Sequence, residues 1–344
     1  MSDGCESNAF PAYLALGPHD LGFTRYQSLR TGSGGCLFPV WEPRGMPRIN
    51  DQFLECVFYL YPSREAAEIG EQIGGTGFVA GVPSDVHEGV IYGYAVTNRH
   101  VAVDDGASCI RVNRCDGSVE VLEFDPAEWL VHPSGDDLAV IPLGGMVPGI
   151  HDVRLFDTSW FVTEESSNKL DIGPGDDVFM VGRFVHHDGK KRNQPSVRFG
   201  NISMNASLIR QSRRGFEQLS YGVEMRSMGG YSGSPVFVCK SPWDMNRPTV
   251  TVAPNRVKFL GVNWGYITDK LEVDEEVIRD NQASQSEIRR RKQYVKANTG
   301  MNGVIPAWKV KELLDMPMLS EQRKHQDLIQ VAIRAQQRAD TKMD

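Results

Sequence analysis

Between Gly74 and about Gly265 the chain repeats one texture: short runs of strand-forming residues broken by Gly, Pro, Asn and Asp. Examples are Gly77-Phe78-Val79-Ala80, Gly93-Tyr94-Ala95-Val96-Thr97, Leu138-Ala139-Val140-Ile141, Val178-Phe179-Met180-Val181, Pro235-Val236-Phe237-Val238 and Lys258-Phe259-Leu260-Gly261-Val262. Many short strands with turn signals between them build a sandwich or a barrel. No helical pattern alternates with these runs, which argues against a parallel sheet. The 34 glycines and 19 prolines suit a fold with many turns. No internal repeat of fixed period is present.

The flanks read differently. Residues 1–50 show no sustained period and are expected to form an irregular arm. Phe53 to Tyr61 is rich in strand formers and ends at Pro62. A short helix is expected over Ser63 to Ile69, with Ser63 as its N-cap. After about Lys270 the chain becomes charged, and Leu271 to Lys296 reads as helical. Trp308, Val310, Leu313 and Leu314 fall at helical spacing and are expected to pack as one face, with Pro317 as the stop. Residues 320–344 are Gln- and charge-rich, with Leu328, Val331, Ala332, Ala335 and Ala339 spaced for a loosely packed helix. The expected organisation is an arm over 1–50, a β domain over 51–317 and a helical or flexible tail over 318–344.

Composition narrows the function classes. A 40% apolar fraction in 344 residues supports a real core and excludes wholesale disorder. The formal charge of −7 argues against a nucleic-acid binder. No apolar run reaches the length of a membrane helix, so no membrane partner is expected. Met1 to Phe10 lacks the basic and apolar regions of a secretory signal. The six cysteines (Cys5, Cys36, Cys56, Cys109, Cys115, Cys239) form no C-x-x-C pair and read as free thiols in a reducing, cytoplasmic setting, although their even number leaves disulfides open.

Three local patterns carry chemistry. Val96-Thr97-Asn98-Arg99-His100-Val101 is a β run ending in a histidine. Gly135-Asp136-Asp137-Leu138-Ala139-Val140-Ile141 places carboxylates before an apolar strand. Gly229-Gly230-Tyr231-Ser232-Gly233-Ser234-Pro235-Val236 places serines in a glycine-rich turn. Acyl transfer needs these parts. A serine hydroxyl needs an adjacent base to become a nucleophile, and histidine can take and return a proton near neutral pH. A buried carboxylate holds the imidazole in the required tautomer, and N–H groups of a glycine-rich turn can converge on an oxyanion. Each pattern alone is weak. Together, in His, Asp, Ser order on a β-rich chain, they are strong.

On these residues the chain resembles the trypsin-like, chymotrypsin-fold serine proteases, with a glycine pattern most similar to the bacterial high-temperature-requirement type. The resemblance spans roughly residues 53–316. Thr97-Asn98-Arg99-His100 is similar to the family's Thr-Ala-Ala-His, Asp137-Leu138-Ala139-Val140 to its Asp-Leu/Ile-Ala-Leu, and Gly230-Tyr231-Ser232-Gly233-Ser234-Pro235 to its Gly-Asp/Asn-Ser-Gly-Gly-Pro. Gly261-Val262-Asn263-Trp264-Gly265 resembles the Val-Ser-Trp-Gly strand that pairs with substrate main chain. Ile172 to Val178 and Thr299 to Pro306 look like flanking segments of the bacterial type.

The resemblance implies an all-β, double antiparallel barrel of six strands each, with the active site between the barrels and a helix near 307–316 completing the fold. It implies a serine endopeptidase that acts on a protein or peptide through an acyl-enzyme, with no cofactor and no metal. His100 would be the general base, Asp137 its orienting acid with Asp136 as the rival, and Ser232 the nucleophile. The N–H groups of Gly230 and Ser232 would form the oxyanion hole. Asn263, Trp264 and Gly265 would bind the substrate strand, and Met225, Arg226 and Met228 would line the primary pocket. Arg226 at the position of the acid in Lys/Arg-cutting members argues against cleavage after Lys or Arg. An acidic side chain facing Arg226 and an apolar one beside Met225 and Met228 both remain open. Tyr231 in place of the usual Asp argues against activation by a freshly cut N-terminus.

The alternatives are a catalytically silent member that binds peptides and a scaffold that recruits a protein partner through its C-terminal helical region. His186-His187-Asp188 reads as a solvated turn, Arg289-Arg290-Arg291-Lys292 as a solvated helix face, and Gly74-Gly75-Thr76-Gly77 as the start of a barrel strand. His132 and His151 have no partner that the sequence names.

Overall fold

A computed structural model describes residues 49–72, 74–144, 146, 149–184, 189, 191–211, 215–227, 229–240, 257–273 and 293–340. The expected arm over 1–50 lies outside them except for Ile49 and Asn50. His186, His187, Asp188, Met228 and Arg289 to Lys292 also lie outside.

Two antiparallel sheets form the body. The first runs β5(Val119–Leu122), β4(Cys109–Asn113), β1(Val57–Tyr61), β2(Thr76–Pro83), β3(Ile91–Thr97), β7(Ala139–Pro142), β6(Leu130–Val131), with the short β8(Phe156–Asp157) pairing in parallel with β2. The second is a closed barrel ordered β10(Ser196–Arg210), β11(Glu217–Met225), β14(Gln293–Pro306), β13(Val257–Val273), β12(Pro235–Cys239), β9(Asp177–Gly182). The fold is therefore all-β with two antiparallel sheets, the chymotrypsin-like arrangement. The second unit has the expected six strands and closes. The first has eight and stays open between β5 and β6, because no ladder joins those edges.

The two sheets share one core. Phe78 of β2 and Phe156 of β8 meet Phe179 of β9, Phe237 of β12 and Phe259 of β13. Phe78 and Phe259 lie 5.2 Å apart, Phe156 and Phe237 5.2 Å, and Phe179 stacks on Phe237 at 5.1 Å. Each such pair adds about 0.5–1.5 kcal/mol beyond area burial. Separate apolar clusters fill the first sheet around Val79, Ile110 and Ile141 and the barrel around Val178, Val223 and Leu260.

Local expectations meet several corrections. Phe53 and Leu54 belong to a short helix, α1(Asp51–Leu54), and the strand begins only at Val57. The Asn50 side chain accepts from Gln52 N at 3.1 Å and fixes that turn. Ser63 caps α2(Arg64–Ile69), accepting from Ala66 N at 3.2 Å. Leu271 to Val273 and Gln293 to Lys296 are strand, not helix: β13 and β14 run on past the barrel as a hairpin pairing Lys270 with Lys296 and Glu272 with Tyr294. Long-range ladder bonds there override a locally helical composition.

α4(Ala307–Leu314) follows β14 directly. It buries Ala307, Val310, Leu313 and Leu314, while Trp308 is half-buried on another side, edge-on to Tyr221 at 6.0 Å. α4 ends before Pro317, as expected, and Pro317 itself opens α5(Pro317–Asp340), where a missing N–H costs nothing. α5 is tied to the first sheet by Asp327, whose Oδ1 accepts from Ser84 Oγ at 2.6 Å and Tyr92 Oη at 2.5 Å. No described helix is long and apolar enough to cross a membrane. Among the described residues Cys56, Cys109, Cys115 and Cys239 are free thiols, and no cluster of residues suited to holding a metal is found.

Candidate active site

The ladder between β3 and β7 pairs Thr97 with Ala139. The chain leaves β3 just after that pair and enters β7 just before it, so His100 and Asp137 emerge at the same end of the sheet. His100 opens a one-turn helix over His100–Asp104 and is buried. Its main-chain N–H donates to Asp137 Oδ1 at 2.9 Å, and its ring Nδ1 lies 2.7 Å from Asp137 Oδ2. The carboxylate thus accepts a hydrogen bond from Nδ1–H, which keeps the proton on that nitrogen and leaves Nε2 as the basic one. Asn98 Nδ2 donates to Asp137 O at 2.8 Å, clamping the turn onto the same residue.

Asp136 makes different contacts. Its Oδ1 accepts from Gln218 Nε2 at 2.6 Å, and its Oδ2 lies 3.0 Å from His132 Nδ1 and 3.8 Å from Lys309 Nζ. Burial pushes its carboxyl up, but His132, Gln218 and Lys309 outweigh that and hold it below the ordinary carboxylate range. His132 also approaches Glu312 at 3.3 Å, and His151 Nε2 lies 3.0 Å from Glu120 Oε2. The sequence named no partner for either histidine.

Ser232 lies in the turn that enters β12. Gly230 and Gly233 both take positive φ, at 93° and 84°. A Cβ on Gly233 would come within 2.0 Å of Thr76 O and 2.3 Å of Thr97 Oγ1, so only glycine fits. Thr76 anchors the turn from the first sheet. Its N–H donates to Ser232 O at 2.8 Å and its Oγ1 to Gly230 O at 2.8 Å. Asn263 anchors it from β13: its carbonyl accepts from Gly233 N at 2.9 Å and its Nδ2 donates to Tyr231 O at 2.8 Å. Tyr231 is buried, and Arg198 Nε donates to its hydroxyl at 3.0 Å. Among the described residues the N–H groups of Gly230, Tyr231 and Ser232 meet no acceptor. Such unengaged N–H groups beside a serine are what an oxyanion would need.

The two halves of the site come together at Gly75. A Cβ there would lie 2.6 Å from Val101 Cγ1, next to His100, and 3.0 Å from Ser232 O. The Ser232 hydroxyl is nevertheless turned toward β13, where it donates to Trp264 O across 3.4 Å. No hydrogen bond joins it to the His100 ring. Hydrogen bonds between catalytic groups are often long or misaligned before substrate binds.

The expected substrate residues are spread along β11 and β13. Asn263 is fully buried, and Trp264 Nε1 donates to Ser220 Oγ at 2.9 Å. The Trp264 ring lies where a side chain on Gly303 would otherwise sit, 2.2 Å from its ideal Cβ. Gly265 is half-buried beyond the last residue of β13 that pairs with β12. Met225 is buried, and its carbonyl accepts from Asn302 Nδ2 at 2.9 Å. Arg226 is exposed. Sequence reasoning missed Thr76, Gln211 and Gln218. Each is polar, fully or almost fully buried and bonded to a residue more than 70 positions away, so no local signal marks it.

No family model matches the chain, and no curated protein does. Solved structures do, at low similarity. The MamO protease domain from Magnetospirillum magneticum is 13% identical, with 76% of this chain and 96% of that chain covered and a TM-score of 0.40. The Rv3671c protease in its inactive form is 17% identical, with 76% and 88% covered and a TM-score of 0.39. The HtrA-type protease AlgW with a decapeptide is 16% identical, with 70% and 50% covered and a TM-score of 0.35. By its own strand topology the chain has the chymotrypsin-like double β fold, and the solved structures it is similar to include a protease domain, a protease and an HtrA-type protease.

Proposed function

We propose that this protein is a serine endopeptidase. Ser232 attacks the peptide carbonyl, His100 Nε2 takes its proton and returns it to the leaving amine, and Asp137 keeps the ring oriented and stabilises the imidazolium. The N–H groups of Gly230 and Ser232 hold the oxyanion. An extended peptide adds to the edge of β13 along Asn263 to Gly265. The observation that carries this reading is the double hold of Asp137 on His100, set beside a serine turn in which the N–H groups of Gly230, Tyr231 and Ser232 meet no acceptor among the described residues. Before reaction the Ser232 hydroxyl has to leave Trp264 O and turn toward His100.

That same contact with Trp264 O favours a second reading, a catalytically silent chain that binds peptides along β13. A fluorophosphonate probe separates the two. Labelling of the purified protein that disappears in Ser232→Ala supports the enzyme. An unlabelled protein that still binds peptides supports the silent binder.

A further inference from the structure

The hairpin formed by β10 and β11 belongs to the closed barrel, yet its tip reaches the acid of the other sheet. Gln211, just after β10, donates from Nε2 to Asp137 Oδ2 at 3.3 Å, the same oxygen that faces His100 Nδ1. Gln218, in β11, accepts the Asp137 N–H on Oε1 at 2.9 Å. A backbone N–H can only donate, so the Gln218 carbonyl must face Asp137 and its NH₂ must face Asp136, where it lies 2.6 Å from Oδ1. Both glutamines are buried, at 2% and 0% exposure. The loop around Gln211 is itself closed by Gln211 N donating to Phe216 O and Gly215 N to Gln211 O, each at 2.8 Å. Phe216 in turn lies 3.5 Å from the ideal Cβ of Gly135, one residue before Asp136.

We propose that Gln211 and Gln218 are positioning residues: the barrel uses them to fix the orientation and the effective charge of Asp137, and through it the basicity of His100. This deepens the endopeptidase reading and rests on it. Gln211 places an amide dipole on the oxygen that His100 uses, so that Oδ2 is shared between two donors. Gln218 fixes the main chain that carries the carboxylate and holds Asp136 away from His100. Among the described residues the charged groups around His100 include Asp137 in front, Arg99 just before its helix and Asp104 on it, and Asp136, His132, Lys309 and Glu312 behind Asp137.

The test is made on the full chain. Gln211→Met removes the donor while keeping length. It is expected to lower kcat about tenfold with KM within about twofold, the scale of one hydrogen bond to a charged group. An Asp137 carboxylate with one donor fewer stabilises the imidazolium more. The acidic limb of the pH–rate profile, which reports neutral His100, is therefore expected to move to higher pH. Gln218→Met is expected to lower kcat at least as much.

A readout independent of catalysis is the downfield proton resonance of His100 Nδ1–H. It should shift in Gln211→Met, and in the unaltered chain the Gln211 amide resonances should follow the His100 titration. If the unaltered chain hydrolyses nothing and takes no probe, the endopeptidase reading fails while these resonances still decide the role of Gln211. Folded variants with unchanged kcat, pH limb and Nδ1–H resonance overturn the proposal. So do Gln211 amide resonances that ignore the His100 titration, whether or not the variants fold.

Discussion

The hydroxyl of Thr76, at the start of β2 in the open sheet, donates to the carbonyl of Gly230 in the barrel, 154 residues further along the chain. The same hydroxyl accepts from Arg183 N at 2.9 Å. One buried side chain thus links the strand beside His100 to the turn that carries Ser232. Thr76→Val keeps the shape and leaves two buried polar groups unpaired. A stability loss of about 2–6 kcal/mol is expected in denaturant titration, since each of the two orphaned groups costs about 1–3 kcal/mol. Probe labelling of Ser232 should slow in the same variant.

Ser232→Ala should abolish probe labelling with little loss of stability, because among the described residues the hydroxyl makes one hydrogen bond, a long one to Trp264 O. Ser234→Ala should leave labelling intact. Ser234 Oγ is buried with no hydrogen-bond partner among the described residues, 2.0 Å from where a Cβ on Gly182 would stand. Mass spectrometry of the labelled peptide checks both. A label on Ser234 would contradict the register.

Gly233→Ala should block labelling and destabilise the fold together. Its φ of 84° and the 2.0 Å approach of Thr76 O leave no room for a methyl group. A variant that melts like the unaltered protein would show that the turn adopts another conformation.

The depressed Asp136 carboxyl predicts an acid-sensitive step. A group held below its ordinary value stabilises the fold fully above that value and loses its contribution as pH falls through the lowered one. Stability should therefore fall as pH drops below about 4, the ordinary range of an aspartate. Asp136→Asn should flatten that part of the curve, measured as denaturation midpoint against pH.

Thiol reactivity should follow exposure. Cys115 is exposed, Cys56 is fully buried with its thiol pushed up by desolvation, and Cys239 is pushed up to about 12 by burial and by Asp177. At pH 8 a maleimide should take Cys115 long before Cys56 or Cys239. Peptide mapping over time reads the order.

The strand runs were legible because alternation and turn residues are local, and β2, β3, β9, β12 and β13 contain the segments read as strands, as β7 does from Ala139 on. The His, Asp and Ser motifs were legible for the same reason, since each sits where a strand begins or ends. The rest depended on partners far away. Leu271 and Lys296 read as helical because their charges say nothing of the ladder that pairs β13 with β14. The openness of the first sheet depends on whether β5 and β6 meet, which no residue in either announces. Thr76, Gln211 and Gln218 look like ordinary polar residues until the two sheets dock and bury them. Trp308 was placed on the wrong face because Tyr221, its neighbour, comes from another strand.

The barrel closes only when β14 pairs with β11, at Tyr221 with Val304 and Glu224 with Met301. His100, Asp137 and Ser232, with the Thr76 and Asn263 that anchor the Ser232 turn, all precede that closing strand in the chain. A chain that stops short of Pro306 therefore carries every one of these side chains but leaves β11 and β13 without the strand that joins them.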